Sequence, residues 1–309
     1  MLVNSATESL KLSKKSRVWV PAGNWPTVLD FLVSQFAHIP MLEWQSRLAL
    51  GLVSCTDQHQ NSRVLAANDA CPCLSHIEYF RQVAQEPTVP FEETIIFENE
   101  QIVVADKPHF LPVTPVGAFV KNTLQSRLQK KLNTPNLQVV HRLDRETAGL
   151  VVLVKNPQHR DAYQALFRNQ AIIKVYEAVA RFRADLPYPY LHESCLASSG
   201  QFFLQTEINQ PSNSATLIEV IKVLSQNKAL YRLTPSTGKK HQLRVHMASL
   251  GMGIEGDQFY PIAKSQDLSD FASPLQLLAR SLCFTDPISQ QNMVFNSQQT
   301  LCLEKALTQ

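Results

Sequence analysis

Apolar positions return at helical spacing over residues 27–36 and again over 39–50, which predicts two helices near the start of the chain. Thr27 stands where an N-cap belongs, and Gly51 marks the end of the second helix. Residues 53–66 then read as short strands around Asp57-Gln58-His59-Gln60, and the proline-bounded 87–90 reads as a linker. Beyond it the pattern predicts strands over 94–97 and 102–105, and an amphipathic basic helix over 122–132 that carries Arg127, Lys130 and Lys131. The continuous apolar run Val151-Val152-Leu153-Val154 has the pattern of a buried strand. A helix over 158–168 follows, with Tyr163, Leu166 and Phe167 as core positions, and later strands cover 178–180, 216–223 and 229–233. Strands and helices mix without a strict βαβ alternation. That order predicts an α+β fold on a mixed, largely antiparallel sheet.

Two stretches carry candidate chemistry. The first is His141-Arg142-Leu143-Asp144-Arg145-Glu146-Thr147-Ala148-Gly149-Leu150, which turns into the apolar run. Asp144 lies between two arginines, and nearby positive charge favours an ionised carboxylate. Such a group can serve as a base or a nucleophile, or it can sit in a structural ion pair. The second stretch runs from Thr237 to Met247 and gathers Lys239, Lys240, His241, Arg244 and His246 beside Gly238. Leu243, Val245 and Met247 alternate with Gln242, Arg244 and His246, as on a strand. Read as a helix instead, His241, Arg244 and Met247 share a side. Either form gives a basic patch, open to phosphate contact or to plain solvation. Gly251, Gly253 and Gly256 follow with dinucleotide-fingerprint spacing, but Pro261 argues against the helix which that motif requires.

These segments resemble the RluA-type family of RNA pseudouridine synthases. The family's H-R-L-D-x-x-T-x-G-L motif is matched by residues 141–150, and its opening D/E-x-x-hydrophobic-hydrophobic-V-x-K-P-x-x-L-P-V segment looks like residues Glu100 to Val113. Its K-x-Y-x-A strand is similar to Lys174-Val175-Tyr176-Glu177-Ala178. Its T-G-R-x-H-Q-I-R-V-H segment resembles the stretch from Thr237, its G-D-x-x-Y the stretch Gly256 to Tyr260, and a late L-x-A-x-x-L-x-F-x-x-P the stretch Leu277 to Pro287. The likeness covers roughly residues 91–290. Ala148 stands where the family has Ser, Lys239 where it has Arg, Leu278 where it has His and Pro261 where it has Gly. These departures bear on substrate choice more than on chemistry.

The resemblance implies a pseudouridine-synthase fold with a central cleft and an activity: uridine in ribosomal or transfer RNA is isomerised to pseudouridine. The reaction breaks C1′–N1 and rejoins the base through C5, without redox change, so it implies no cofactor and no metal. By the same resemblance Asp144 is the essential carboxylate, as nucleophile or base. Arg244 pairs with it, and Tyr176 stacks on uracil or moves a proton at C5. Arg142 fills the gap left by the flipped base, His141 contacts backbone near the substrate, and Leu243 walls the pocket. Lys239, Lys240 and His241 face the RNA. An RNA-binding or remodelling protein on the same fold, with vestigial activity, is the second reading; the intact set Asp144, Tyr176 and Arg244 argues for the enzyme. A hydrolase would want a second acid near Asp144, and none stands out.

Charge adds little by its amount and more by its distribution. The chain has 309 residues and a formal net charge of +3. Residues 1–90 hold equal numbers of basic and acidic groups, so the whole excess lies in the synthase-like part. That neutral region, residues 1–86, resembles a degenerate S4-like module, with Arg47 the only basic residue of the second helix. Residues 91–309 form the catalytic domain in this reading. No segment approaches a membrane span, the start lacks a signal peptide's regions, and six scattered cysteines fit reduced thiols in a cytoplasm. Cys71, Cys73 and His76 lack a fourth ligand for zinc. No coiled-coil seam is present, which makes a monomer the expected state.

Overall fold

The computed structural model describes residues 15–36, 39–56, 62–80, 86–200, 204–225, 227–264 and 267–302. Residues 1–14, and the turn expected at 57–60, lie outside them. The chain divides into two compact units, 1–85 and 86–309.

In the first unit, β1 (Ser16–Val20) precedes α1 (Val28–Gln35). Thr27 caps α1 as its position predicts: its hydroxyl accepts the Asp30 N–H, and the Asp30 carboxylate accepts the Thr27 N–H. Then come α2 (Met41–Ala49), β2 (Val53–Thr56), β3 (Ser62–Val64) and β4 (Ser75–Tyr79). The strands form an antiparallel sheet in the order β1-β4-β2-β3, with Phe31, Leu32, Trp44 and Ile77 buried in its core. The two helices and the β2–β3 hairpin follow the sequence pattern. β1 and β4 do not: both are short and carry charged or aromatic residues on their outer face, so neither stands out as an apolar run.

The second unit contains β5 (Thr94–Glu98), β6 (Ile102–Lys107), α3 (Leu124–Lys131), β7 (Gln138–Val139), β8 (Ala148–Val154), α4 (Arg160–Arg168) and β9 (Ile172–Arg181). It continues with β10 (Tyr190–Ser198), β11 (Gln205–Ile208), β12 (Ser214–Ser225), β13 (Lys228–Pro235), α5 (Gln242–Ser249), β14 (Leu277–Thr285) and β15 (Asn292–Asn296). The strands join one sheet in the order β11-β10-β12-β13-β9-β14-β8-β6-β5, with β15 on β14 and β7 on β8. Every pairing is antiparallel except β8 with β14. The architecture is the α+β, mixed and mostly antiparallel sheet that the element order predicts. Among the described residues, no helix is long and apolar enough to cross a membrane.

β6 and β8 read as unbroken apolar runs because both faces are covered. Val103, Ala105, Val151 and Leu153 pack with Leu124 and Leu128 of α3. Their alternate neighbours Ile102, Val104, Leu150 and Val152 pack with Tyr163 of α4. Residues 87–90 are not a free linker: Val89 is buried in the α3-side core, and Arg127 donates to the Val89 carbonyl at 2.7 Å.

The alternation over 242–247 does not make a strand. It lies in α5, where all six residues are buried. The period-2 pattern misleads because the polar members find partners inside: Gln242 bonds the Thr237 hydroxyl, the Lys239 N–H and the Ala215 carbonyl. His246 shares hydrogen bonds with Thr216 and Ser214. Leu243 and Met247 pack against Ala178, Ile218 and Leu233 of the sheet.

The junction of β8, β14 and β9 positions the site. Ala279 of β14 pairs with Gly149 on one side and with Tyr176 on the other. Gly149 has φ +113°, and a Cβ there would meet the Ala279 carbonyl oxygen at 2.3 Å. Backbone strain and overpacking each cost roughly 1–3 kcal/mol, so Gly149→Ala is expected to destabilise this unit by about 2–6 kcal/mol. Denaturant unfolding checks this, and a midpoint equal to wild type would contradict the close strand approach.

Candidate active site

Asp144 lies in the turn that leads into β8; the turn is closed by the Thr147 N–H donating to the Asp144 carbonyl at 3.2 Å. The parallel pairing of β8 with β14 brings this turn near β9 and the N-terminal end of α5. A cleft of about 980 Å³ opens there, lined by Asp144, Tyr176, Leu243, Arg244 and His241 among others.

The charge partner of Asp144 is not one of its sequence neighbours. Among the described residues, neither Arg142 nor Arg145 forms an ion pair with it. Arg145 donates to the Phe110 and Leu268 carbonyls and lies over the Phe110 and Phe119 rings. Arg142 is exposed at the cleft. The partner is Arg244, 100 residues further on, whose Nη1 donates to Asp144 Oδ2 at 3.1 Å. The opposite edge of the same guanidinium holds Asp257, with Nε to Oδ2 at 2.9 Å and Nη2 to Oδ1 at 2.6 Å. Its face lies over the Phe259 ring, 4.7 Å from the centroid. Burial opposes the charge of Arg244, but the Asp257 hydrogen bonds and the charges of Asp257, Asp144 and Glu146 outweigh it and hold the pKa above the ordinary value. The fork with Asp257 orients Arg244 so that Nη1 is turned toward Asp144.

A second carboxylate does lie near. Glu146 Oε2 is 3.6 Å from Arg244 Nη1, and Oε1 is 3.5 Å from Arg145. It does not stand out in the sequence, where nothing in the spacing of Glu146 separates it from the charged residues around it. Held between two guanidiniums, Glu146 braces the turn. Lys107 sits below it, fully buried, and donates to the Pro108 and Arg145 carbonyls at 3.0 Å each. Burial lowers its pKa to about 7, against the pull of Glu146 and Asp144.

Tyr176 faces the cleft from β9, and burial, then the Asp144 charge, push its hydroxyl well above the usual range. The hydroxyl therefore stays protonated and can give a proton up only to a strong acceptor. His241 adopts left-handed backbone (φ 56°) at the start of α5. Its Nε2 is 3.8 Å from Asp144 Oδ1, and its Nδ1 shares a 2.8 Å hydrogen bond with the Tyr260 hydroxyl. Burial lowers its pKa to about 4, so it is neutral near pH 7. His141 lines the cleft, but its Nε2 accepts the Val152 N–H at 3.0 Å and its ring stacks on Phe167 at 4.3 Å. Its pKa falls to about 3, chiefly through burial. Lys239 and Lys240 are exposed on the cleft rim, while Arg244 and His246 are buried, so the basic stretch divides into a surface part and an internal part.

The structure thus gathers all nine of the residues singled out from the sequence, Asp144, Tyr176, Arg244, Arg142, His141, Leu243, Lys239, Lys240 and His241, around one cleft. It adds Asp257, Phe259, Glu146 and Lys107. Each lies inside a motif already visible in the chain, Asp257 and Phe259 in the Gly256 to Tyr260 segment, but only contact shows what it holds.

A family model described as RNA pseudouridylate synthase matches residues 101–249. The dual-specificity RNA pseudouridine synthase RluA of Vibrio parahaemolyticus is 34% identical over 222 residues, covering 66% of this chain and 81% of that protein. The tRNA pseudouridine(31) synthase of Saccharomyces cerevisiae is 25% identical over 278 residues, covering 77% of this chain and 68% of that one. Among solved structures, Human RNA Pseudouridylate Synthase Domain Containing 1 superposes with a TM-score of 0.55 at 19% identity, over 70% of this chain and 86% of that one, and so shares the fold. With the motifs in order, the fold in place and a relative of this identity covered over most of its length, the chain belongs to the RluA-type family of RNA pseudouridine synthases, the isomerases that convert uridine to pseudouridine.

Proposed function

We propose that this protein isomerises uridine in ribosomal or transfer RNA with Asp144 as the essential carboxylate. The observation that carries the reading is the cleft carboxylate held by Arg244, whose own orientation is fixed by Asp257. A flipped uridine enters beside Tyr176 and Leu243, and its extraction from the stack is the cost that the surrounding contacts must offset. Asp144 acts at the sugar while C1′–N1 breaks. The uracil stays in the pocket, C1′–C5 forms, C5 loses its proton and N1 gains one. Nothing is oxidised and no water is consumed. In this reading Arg142 stands at the mouth where the flipped base leaves a gap, and Lys239 and Lys240 meet the backbone. The setting we propose is the cytoplasm, where the six free cysteines stay reduced, and the enzyme is a monomer. The nearly neutral first unit, which we read as a degenerate S4-like module, adds little electrostatic grip on RNA.

Chemical mapping of pseudouridine in total RNA, from cells with and without the protein, tests the reading. At least one ribosomal or transfer RNA uridine should lose its modification. Identical maps would contradict the proposal.

Tyr176 separates two contributions. If its hydroxyl moves the C5 proton, Tyr176→Phe should slow turnover by on the order of 10²-fold or more, as for a positioned acid or base. If the ring alone matters, Phe is mild and Ala severe. Single-turnover rates on one RNA decide, and a mild effect of both changes would remove Tyr176 from the site.

A further inference from the structure

We propose that α4 forms a second RNA-gripping wall of the cleft, with Arg160 and Arg168 as backbone contacts in addition to Lys239 and Lys240, which line the same cleft. The inference rests on the reading that the cleft takes RNA. The sequence pattern presents this helix as a core element, and one face of it is: Tyr163 is buried, and Leu166 and Phe167 pack against the same core. The other face is set by Arg160, Gln164 and Arg168. They are four residues apart, so they lie in one row along the helix. All three line the cleft that holds Asp144.

The row is anchored at several points. Arg160 Nε donates to the Val139 carbonyl at 3.3 Å, just before the segment that carries His141 and Asp144. Phe167 stacks on His141. The Tyr163 hydroxyl donates to Asp286 at 2.6 Å. The helix is therefore fixed to the same segment as the reacting carboxylate, and Arg160 is held in place before RNA arrives. A preorganised contact loses less on binding than a mobile one.

The charges on this wall are available. Among the described residues, Arg160, Arg142, Lys239 and Lys240 make no ion pair, although all four line the cleft. Arg168 donates to Asp161 through Nη1 at 3.1 Å and Nη2 at 3.4 Å, but their side chains are 57% and 81% exposed. An ion pair that exposed is weak, and a phosphate can displace it. Unpaired cations gathered along one cleft suit a polyanion that runs through it. Gln164, between the two arginines, can bond a phosphate or a ribose hydroxyl. The wall would hold the strand flanking the flipped nucleotide together with the lysines.

The test is the salt dependence of affinity for a short single-stranded RNA, measured with the full-length protein. Each phosphate contact contributes about 0.7 to the slope of log affinity against log salt. The variant Arg160→Gln/Arg168→Gln should flatten the slope by roughly 0.7–1.4, if each arginine meets one phosphate. Its KM for RNA should rise, and in Arg168→Gln alone kcat at saturating RNA should stay near wild type. Arg168→Gln alone should flatten it by about 0.7, without touching the Val139 anchor. Arg160→Lys, which keeps the charge, should keep the slope. Lys222→Gln, a charge loss of equal size on β12 away from the cleft, should change nothing. A slope for both Arg→Gln variants equal to that of Lys222→Gln would overturn the proposal. Affinity is read without turnover, so a wild-type protein that formed no pseudouridine would contradict the reading of the reaction and leave the slopes to judge this wall.

Discussion

Replacing Asp144 by Asn is expected to stop pseudouridine formation while the protein stays folded. Asn keeps the shape and can still accept the Arg244 Nη1 hydrogen bond through its amide oxygen. It loses the negative charge and with it the nucleophile or base. A positioned acid or base contributes up to about 10⁴-fold, and a group that carries the whole bond exchange contributes at least as much. Turnover should therefore fall by at least about 10⁴-fold, which is more than 5 kcal/mol of barrier. The melting temperature should stay near wild type, because the Asp144 side chain is partly open to the cleft and Arg244 keeps both bonds to Asp257. Turnover within a factor of ten of wild type, from a folded variant, would remove Asp144 from the chemistry.

Arg244→Gln should damage both folding and activity. The guanidinium is 1% exposed and serves three carboxylates, Asp257 at 2.6 Å, Asp144 at 3.1 Å and Glu146 at 3.6 Å. Its removal leaves Asp257, itself buried, without a cation. Breaking a buried pair by removing one partner costs about 3–5 kcal/mol. For a unit of this size that is on the order of 10 °C in melting temperature. Turnover should fall strongly as well, since nothing else among the described contacts donates to Asp144 within 3.5 Å from a charged side chain. Arg244→Lys keeps a charge, but a point ammonium cannot reach Asp257 with two parallel bonds and Asp144 with a third. It should fold better than Gln and still turn over slowly. Thermal melts and single-turnover rates of the two variants check this. A Gln variant with wild-type stability would show that the buried carboxylates do not depend on Arg244.

Much of this site is legible in the chain because its parts are contiguous. The turn around Asp144 announces itself by an acid among bases followed by a strand-like run. The fork that holds Asp144 is not legible that way. Its flanking arginines suggest local pairing, yet residues in a tight turn point apart, and the partner comes from α5 through the sheet. The strand reading of 242–247 fails for a related reason. Alternation assigns faces only when one face meets water, and here every polar member is satisfied within the protein. Core strands β6 and β8 were visible as apolar runs. Strands such as β10 and β14 are not, since each carries polar residues that find partners on neighbouring strands, His192 with Glu207 and Arg280 with Glu177. α4 shows the converse: its buried face could be read from Tyr163, Leu166 and Phe167, but what lies opposite Arg160 and Arg168 is a matter of tertiary placement.

The most direct test of the central claim is tritium release from RNA carrying C5-tritiated uridine. The label leaves only if C5 exchanges its hydrogen for the bond to C1′. The purified wild-type protein should release tritium from ribosomal or transfer RNA lacking the modification, to a plateau that matches whole numbers of uridines, and Asp144→Asn should release none. Absence of release by the wild-type protein from every such RNA, or equal release by the two proteins, would contradict the account.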